Sequence, residues 1–212
     1  MLNAMHTERI AELLRAYVDA ESLDDKTLGY ISTYIDILTK WNARMNLTAV
    51  RTPEEMVRRH FGESLFAASR LLERDATGSA IDVGSGAGFP GMPLKLWARE
   101  IRLTLIESHS KKATFLREAV RALRVSGVEV FDKRAEEFPG KAGLVALRAV
   151  EKFEAALPVA GSLVELGGRL VVLIGAGQVE QAQRLIPKFR WEAAIPIPES
   201  MARVVLVGHF GE

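Results

Sequence analysis

The stretch IDVGSGAGFPGMPL, residues 81–94, carries Gly84, Gly86 and Gly88 as G-x-G-x-G directly after a short apolar run, while Gly86, Gly88 and Gly91 also satisfy G-x-G-x-x-G. Glycines at a strand-to-helix turn let the backbone approach a ligand with no Cβ in the way. Asp82 precedes the loop, a polar residue at a strand end where an apolar one is expected, and it can orient the loop or the amino-acid end of an adenosyl ligand. Glu107 closes the next apolar run, nineteen residues beyond Gly88. An acid at that place can accept hydrogen bonds from both hydroxyls of a ribose. Nicotinamide dinucleotides and S-adenosylmethionine both carry such a ribose, so the loop and the acid point to a ribosyl cofactor without choosing one.

The choice comes from the elements that must hold these residues. From Ser79 onward, short β-rich runs (AIDV, IRLTLIE, VEVF, LVAL, RLVVLI) alternate with helical stretches near Met92–Ala98, Ser110–Arg124, Lys152–Ala160 and Val179–Phe189. That alternation predicts a parallel, doubly wound sheet. The end differs: RWEAAIPI, a Pro/Glu/Ser turn and ARVVLVGHF read as two strands with no helix between them, and should pair as an antiparallel hairpin. A seven-stranded Rossmann-like sheet closed by an antiparallel hairpin is the arrangement of class I methyltransferases. Rossmann dehydrogenases continue in parallel strands and add a substrate domain, for which too little chain is left. The expected cofactor is therefore S-adenosylmethionine.

Residues 1 to about 75 lack any alternating strand pattern. In their second helix Leu28, Ile31, Ile35, Leu38, Trp41 and Met45 recur at three- or four-residue intervals and form one apolar stripe, with Asp36, Lys40 and Arg44 behind it. Thr52-Pro53-Glu54-Glu55 reads as the capped start of a third. The expected organisation is an N-terminal helical extension over 1–77 and a compact core over 78–212.

Composition narrows the classes further. Apolar residues make up 48% and charged residues 26%, which is a globular balance, and there is no cysteine, so disulfides, thiolate metal sites and cysteine nucleophiles drop out. The N-terminus lacks the apolar core of a signal peptide and no apolar run is long enough to span a bilayer, so a cytoplasmic, membrane-free protein is expected, and it is read as a monomer. A net charge of +1 makes the whole chain no polyanion binder, which leaves any such role to local clusters around Arg44, Arg51, Arg58, Arg59 and His60, and around Lys111 and Lys112.

The blocks WNARMNLTAVR, RRHFGESL, DVGSGAGFPGMPL, IESHSKKATFLREA, RAEEF and LRAV, in that order from about Tyr34 to Val150, resemble the bacterial 16S rRNA guanine-N7 methyltransferases, also called glucose-inhibited division protein B. The resemblance implies methyl transfer from S-adenosylmethionine to N7 of a guanine in the decoding-region loop of 16S rRNA, with the small ribosomal subunit or its assembly intermediate as the particle recognised. It also implies cofactor contacts by Gly84, Phe89, Ala135, Glu136 and Arg148, beside Asp82, Gly86 and Glu107 from the reading above. One departure is HFGESL, where Gly62 and Glu63 replace a more usual apolar-Asp pair.

The residues suit that acceptor. Covalent pyrimidine C5 transfer needs a cysteine, and exocyclic amino transfer usually shows an Asn/Asp-Pro-Pro-aromatic motif where this chain has LVALRAV. The four histidines are dispersed through the chain, so no metal site is expected. Guanine N7 has a free lone pair and loses no proton, so no general base and no certain catalytic residue is expected. A small-molecule acceptor is the alternative. Arg148 can bind the cofactor carboxylate, which is the favoured role, or guanine O6, or simply pair with Glu151 or Glu154. Phe89 can wall the cofactor pocket, stack on the base or pack beneath the loop. Candidate RNA contacts are Arg44, Asn46, Arg51, Arg58, His60 and Lys111, with Lys112 and Lys133 near the pocket, all positioning phosphates more than reading bases. Asn46 also reads as a helix-end cap.

Overall fold

The computed structural model describes residues 5–150 and 152–211; residues 1–4 of the expected helical extension, Glu151 and Glu212 lie outside them. Helices α1 (Thr7–Leu14) and α2 (Asp25–Met45) lead into α3 (Pro53–Glu55), a π-helical segment Met56–Gly62 and α4 (Glu63–Leu71), which follow one another without a break. Asp24 caps α2 by accepting from Thr27 N–H at 2.9 Å. Thr52 Oγ1 accepts from Glu55 N–H at 3.3 Å and donates to the Glu55 carboxylate, so the expected capping pair forms with the hydroxyl, not the backbone, as the carboxylate's partner. The apolar stripe of α2 is buried at Leu28, Ile31, Ile35 and Leu38, and half-buried at Trp41 and Met45. Each fully buried side chain of this kind contributes about 1.5–3 kcal/mol.

The sheet follows. Strands β1 (Ser79–Val83), β2 (Arg102–Ile106), β3 (Val128–Phe131), β4 (Ala142–Arg148) and β5 (Val164–Gly175) are joined by α5 (Gly91–Trp97), α6 (Ser110–Leu123) and α7 (Phe153–Ser162), with a short 3-10 turn at Ala135–Glu137. After α8 (Val179–Leu185) come β6 (Phe189–Trp191), β7 (Ile195–Pro196) and β8 (Arg203–Phe210). The spatial order is β3-β2-β1-β4-β5-β8-β6, parallel through β5, with β8 antiparallel to β5 and β6 and β7 antiparallel to β8. The RWEAAIPI run is thus two strand pieces. Trp191 faces Gly208 but Ile195 faces Val205, a one-residue slip across 192–194 that divides the expected strand.

Two cores flank the sheet. One joins α1, α2, α4, α5 and α6 to side chains such as Leu103, Leu105, Ala146 and Val207, so the helical extension packs into the same cluster as the first βα units. The other holds α7 and α8 against Ile81, Val145, Leu147 and Val172. Alternation along each buried strand delivers one side chain to each core in turn. Among the described residues no helix is long and apolar enough to cross a membrane.

Candidate active site

Reversal of strand order between β1 and β4 opens a crevice beyond the carboxyl ends of the strands, the usual ligand position in such sheets. A cleft of about 300 Å³ lies there. Val83, Ile106, Val150, Ala156 and Val159 give it an apolar lining. Gly84, Glu107, Ser108, Ala135 and Glu136 supply backbone and polar groups, and the cations Lys133, Arg134 and Lys152 stand among the same walls. Four of the cofactor residues expected from sequence, Gly84, Glu107, Ala135 and Glu136, are brought together here from after β1, β2 and β3.

The glycine loop is held from several sides. Ser85 N–H donates to Ile106 O at 3.0 Å, fastening the loop to the end of β2. Gly86 N–H donates to Glu107 Oε2 at 2.9 Å, and His109 N–H donates to Oε1 of the same carboxylate at 2.8 Å. Each carboxylate oxygen keeps a second lone pair, so Glu107 has acceptor capacity left for two more donors. Asp82 lies fully buried beneath the loop, where its Oδ2 accepts from Gly91 N–H at 3.0 Å and its backbone carbonyl from Ser85 Oγ at 2.9 Å. Burial pushes its carboxyl up to about 7, against the Gly91 N–H bond that favours the charged form. Asp82 Oδ1 is buried without a partner. Asp82 and Gly86 therefore shape the loop from below and within. Gly88 cannot be replaced: its φ is +84°, and a Cβ would sit 2.1 Å from the Tyr34 hydroxyl.

Tyr34 was not anticipated. It is fully buried in the apolar stripe of α2, and its hydroxyl donates to Ala87 O at 2.8 Å, so the helical extension grips the glycine loop directly. The available signal was a tyrosine on a buried helix face, whose hydroxyl needs a partner. Phe89, 6% exposed, packs edge-on to Tyr34 and Phe61 with ring centroids 5.8 and 5.1 Å away, and stacks on His60 at 4.8 Å. Its ring occupies the packing position beneath the loop. Burial, with Arg148, Arg59 and Arg203 adding to it, pulls His60 down to about 3, so its ring is neutral near pH 7. Its Nε2 meets Thr48 Oγ1 at 2.7 Å.

Arg148 has partners that sequence did not indicate. From the end of β4 its Nη2 meets Glu63 Oε2 at 2.8 Å and donates to Arg59 O, while Nη1 donates to Ser64 Oγ and His60 O. Both carbonyls belong to the π-helical turn, where His60 O also accepts from Glu63 N–H, and such turns recur at functional sites. Glu63, 1% exposed, also pairs through Oε1 with Arg203 at the start of β8. Burial lowers the Arg148 guanidinium from its ordinary value while Glu63 opposes the shift. Of the two alternative acidic partners, Glu151 is outside the described residues and Glu154 accepts from Gln181. The Gly62-Glu63 departure also finds a cause: a Cβ at Gly62 would lie 2.6 Å from the Tyr17 ring, so glycine is what lets α1's following turn close on the π segment.

The candidate RNA residues lie mainly on the helical extension. Asn46 ends α2 in the left-handed conformation at φ 50°, as a cap, and its Oδ1 accepts from Arg51 Nη2 at 3.0 Å. Arg44 is exposed in the last turn of α2, and Lys111 in the first turn of α6. Arg58 pairs with Glu199 in the β7–β8 connection, to which the Tyr17 hydroxyl also donates. Thr48 links the 46–51 loop to His60, and His60 in turn to Phe89, so this surface runs into the glycine loop.

A doubly wound sheet with an antiparallel terminal strand pair and this cleft defines a class I, S-adenosylmethionine-dependent methyltransferase fold. Solved structures agree: a SAM dependent methyltransferase from Aquifex aeolicus superposes with a TM-score of 0.58 at 13% identity, covering 75% of this chain and 94% of that one. The N-methyltransferase NodS from Bradyrhizobium japonicum gives 0.56 at 14% identity, covering 71% and 96%. The sequence is more specific. Residues 28–196 match the family model for rRNA small subunit methyltransferase G, and the chain belongs to that family. It is 37% identical over 183 residues to the ribosomal RNA small subunit methyltransferase G of Xylella fastidiosa, covering 85% of this chain and 84% of the relative. The protein of that name from Xanthomonas euvesicatoria is 35% identical over 178 residues, with 83% and 82% covered.

Proposed function

We propose that the chain transfers a methyl group from S-adenosylmethionine to N7 of a guanine in the decoding-region loop of the small-subunit rRNA. The observation that carries this is the meeting of the Gly84 loop and Glu107 in a donor-sized cleft, in a chain of the rRNA small subunit methyltransferase G family. Both oxygens of Glu107 accept backbone N–H groups, and the carboxyl of Glu136 is held below its ordinary range by its own backbone N–H and by Arg134. Neither carboxylate is suited to removing a proton, and N7 alkylation asks for none.

The cleft fits the donor. The spare lone pairs of Glu107 suit a ribose diol, the aliphatic walls suit a purine, and the Ala135 N–H stands in the first turn of a 3-10 segment, where intrahelical partners are lacking. When bound, the cofactor would supply an electrophilic methyl group carried on a sulfonium, which the free lone pair of guanine N7 is suited to accept. Glu107 and the glycine loop orient the donor, and Asp82 and Tyr34 keep that loop in place. Arg148, fixed by Glu63, holds the helical extension against the end of β4 so that the acceptor surface and the cleft keep one geometry. Orientation of this kind can supply on the order of 7–11 kcal/mol. Arg44, Asn46, Arg51 and Lys111 are the proposed RNA contacts on that surface, with Arg58 and His60 supporting it.

The test is genetic and chemical. In a strain lacking the protein, small-subunit rRNA should lose one site of the strand scission by borohydride and aniline that marks N7-methylguanine. The native chain should restore that site and Glu107→Gln should not. Scission unchanged by the deletion would end the proposal.

A further inference from the structure

Three cations stand on the walls of the donor cleft itself. Lys133 and Lys152 are exposed and have no ion-pair partner among the described residues, and Arg134 reaches only Glu136, at 3.5 Å with both side chains largely in water. Against them, among the described residues, the cleft sets Glu107 and Glu136. S-adenosylmethionine carries a sulfonium, an ammonium and a carboxylate, and so one net positive charge. Its demethylated product, S-adenosylhomocysteine, has lost the sulfonium charge and is net neutral. A cleft built for the donor alone uses at most one cation, for the donor's carboxylate; three unpaired or weakly paired cations beside a ligand of net positive charge exceed that need and repel it across so short a gap. A polyanion explains them, since phosphates in contact with lysine and arginine neutralise these groups and release counterions.

We infer that Lys133, Arg134 and Lys152 hold the backbone of the RNA substrate across the donor cleft, on its β3 and β4 side, and that this contact couples RNA binding to donor binding. Free enzyme holds the cationic donor more weakly than its glycine loop and Glu107 would allow. Phosphates laid along the rim cancel the opposing charge and tighten it. The neutral product is indifferent to the rim, so the same cations give the RNA-bound enzyme a preference for donor over product. This inference rests on the proposed reading of the cleft as the methyl-donor site.

The experiment is calorimetric titration of the full chain and of the Lys133→Ala/Lys152→Ala double variant with S-adenosylmethionine and with S-adenosylhomocysteine, in low and high salt. Binding to small ribosomal subunits from a strain lacking the protein is followed over the same salt range. In low salt the double variant should bind the donor about fourfold more tightly, roughly twofold for each charge removed near water, and the product equally well; the gain should vanish in high salt. Its affinity for the particle should fall, and the log–log salt dependence should flatten by about 1.5, from two lost phosphate contacts. Donor binding that is unchanged or weaker in the variant would overturn the inference, because the lysines would then serve the donor. Tighter donor binding with unaltered particle affinity and salt slope would overturn it by removing the RNA. Native chain that binds neither ligand would instead overturn the cleft reading beneath it.

Discussion

Glu63→Ala tests the ionic node that joins the helical extension to the sheet. Glu63 is 1% exposed and Arg148 11%, and their 2.8 Å contact is closed over by the backbone of the π-helical turn, so water cannot replace the lost carboxylate at Arg148. Arg203, 35% exposed, can recover hydration and adds less. Removing one partner of a buried pair costs about 3–5 kcal/mol, chiefly because the remaining charge is left uncompensated. With one of the two guanidiniums able to rehydrate, the lower end applies, and Glu63→Ala should lose about 3 kcal/mol of unfolding free energy. Urea titration followed by circular dichroism and by tryptophan fluorescence should show the midpoint moving with the slope unchanged. Glu63→Asp keeps the charge on a side chain one methylene shorter and should lose only about 1 kcal/mol. Glu63→Ala/Arg148→Ala should be less destabilised than the sum of its single variants, since no charge is then left buried alone. A loss below about 1 kcal/mol for Glu63→Ala would put the contact among exposed ion pairs and refute the reasoning.

Glu107→Gln presents an amide N–H₂ to one of the two backbone donors that the carboxylate now satisfies, so S-adenosylmethionine affinity should fall tenfold or more in calorimetry with the fold intact; a change within twofold would remove Glu107 from the site. Tyr34→Phe leaves Ala87 O without its buried donor and should cost about 1–2 kcal/mol, with faster amide exchange in the glycine loop. Asp82 has its folded value raised to about 7, so it favours the folded state below about pH 4 and loses that contribution as pH rises through 7; Asp82→Asn should flatten this part of the stability profile. His60 has its folded value lowered to about 3, so its contribution is full above about pH 6.5 and is lost as pH falls toward 3; His60→Gln should flatten that acid-side loss. The two slopes oppose each other between about pH 4 and 6.5, and each is read from the difference between variant and native chain.

Local pattern carried most of the fold. The 3.6-residue stripe of α2, the alternation of apolar runs with helices and the helix-free end of the chain each follow from short-range periodicity, and they sufficed for the sheet and its antiparallel close. Glu107 and the glycine loop were legible because strand ends converge wherever such a sheet forms, whereas Ala135 and Glu136 came from the family resemblance; Gly84, Glu107, Ala135 and Glu136 all line the cleft. Contacts between the extension and the core were not legible. Tyr34 reaches Ala87, fifty-three residues away, and Arg148 reaches Glu63 across eighty-five, pairings that depend on how α2 and α4 seat on the sheet and leave no local trace. The π turn was equally silent, since MVRRHFG has no residue type that excludes an ordinary helix. The split between β6 and β7 arises from a register slip, and no turn residue announces it.

Base-free transfer to RNA from a donor held in the cleft is tested most directly by incubating the purified chain with methyl-labelled S-adenosylmethionine and small ribosomal subunits from a strain lacking it, then mapping the label. The account predicts label on N7 of a single guanine in the decoding-region loop, no transfer by Glu107→Gln, and a rate that does not follow the titration of any cleft carboxylate. Label on another atom or on protein, or an unlabelled particle beside a chain that binds the donor, would contradict it.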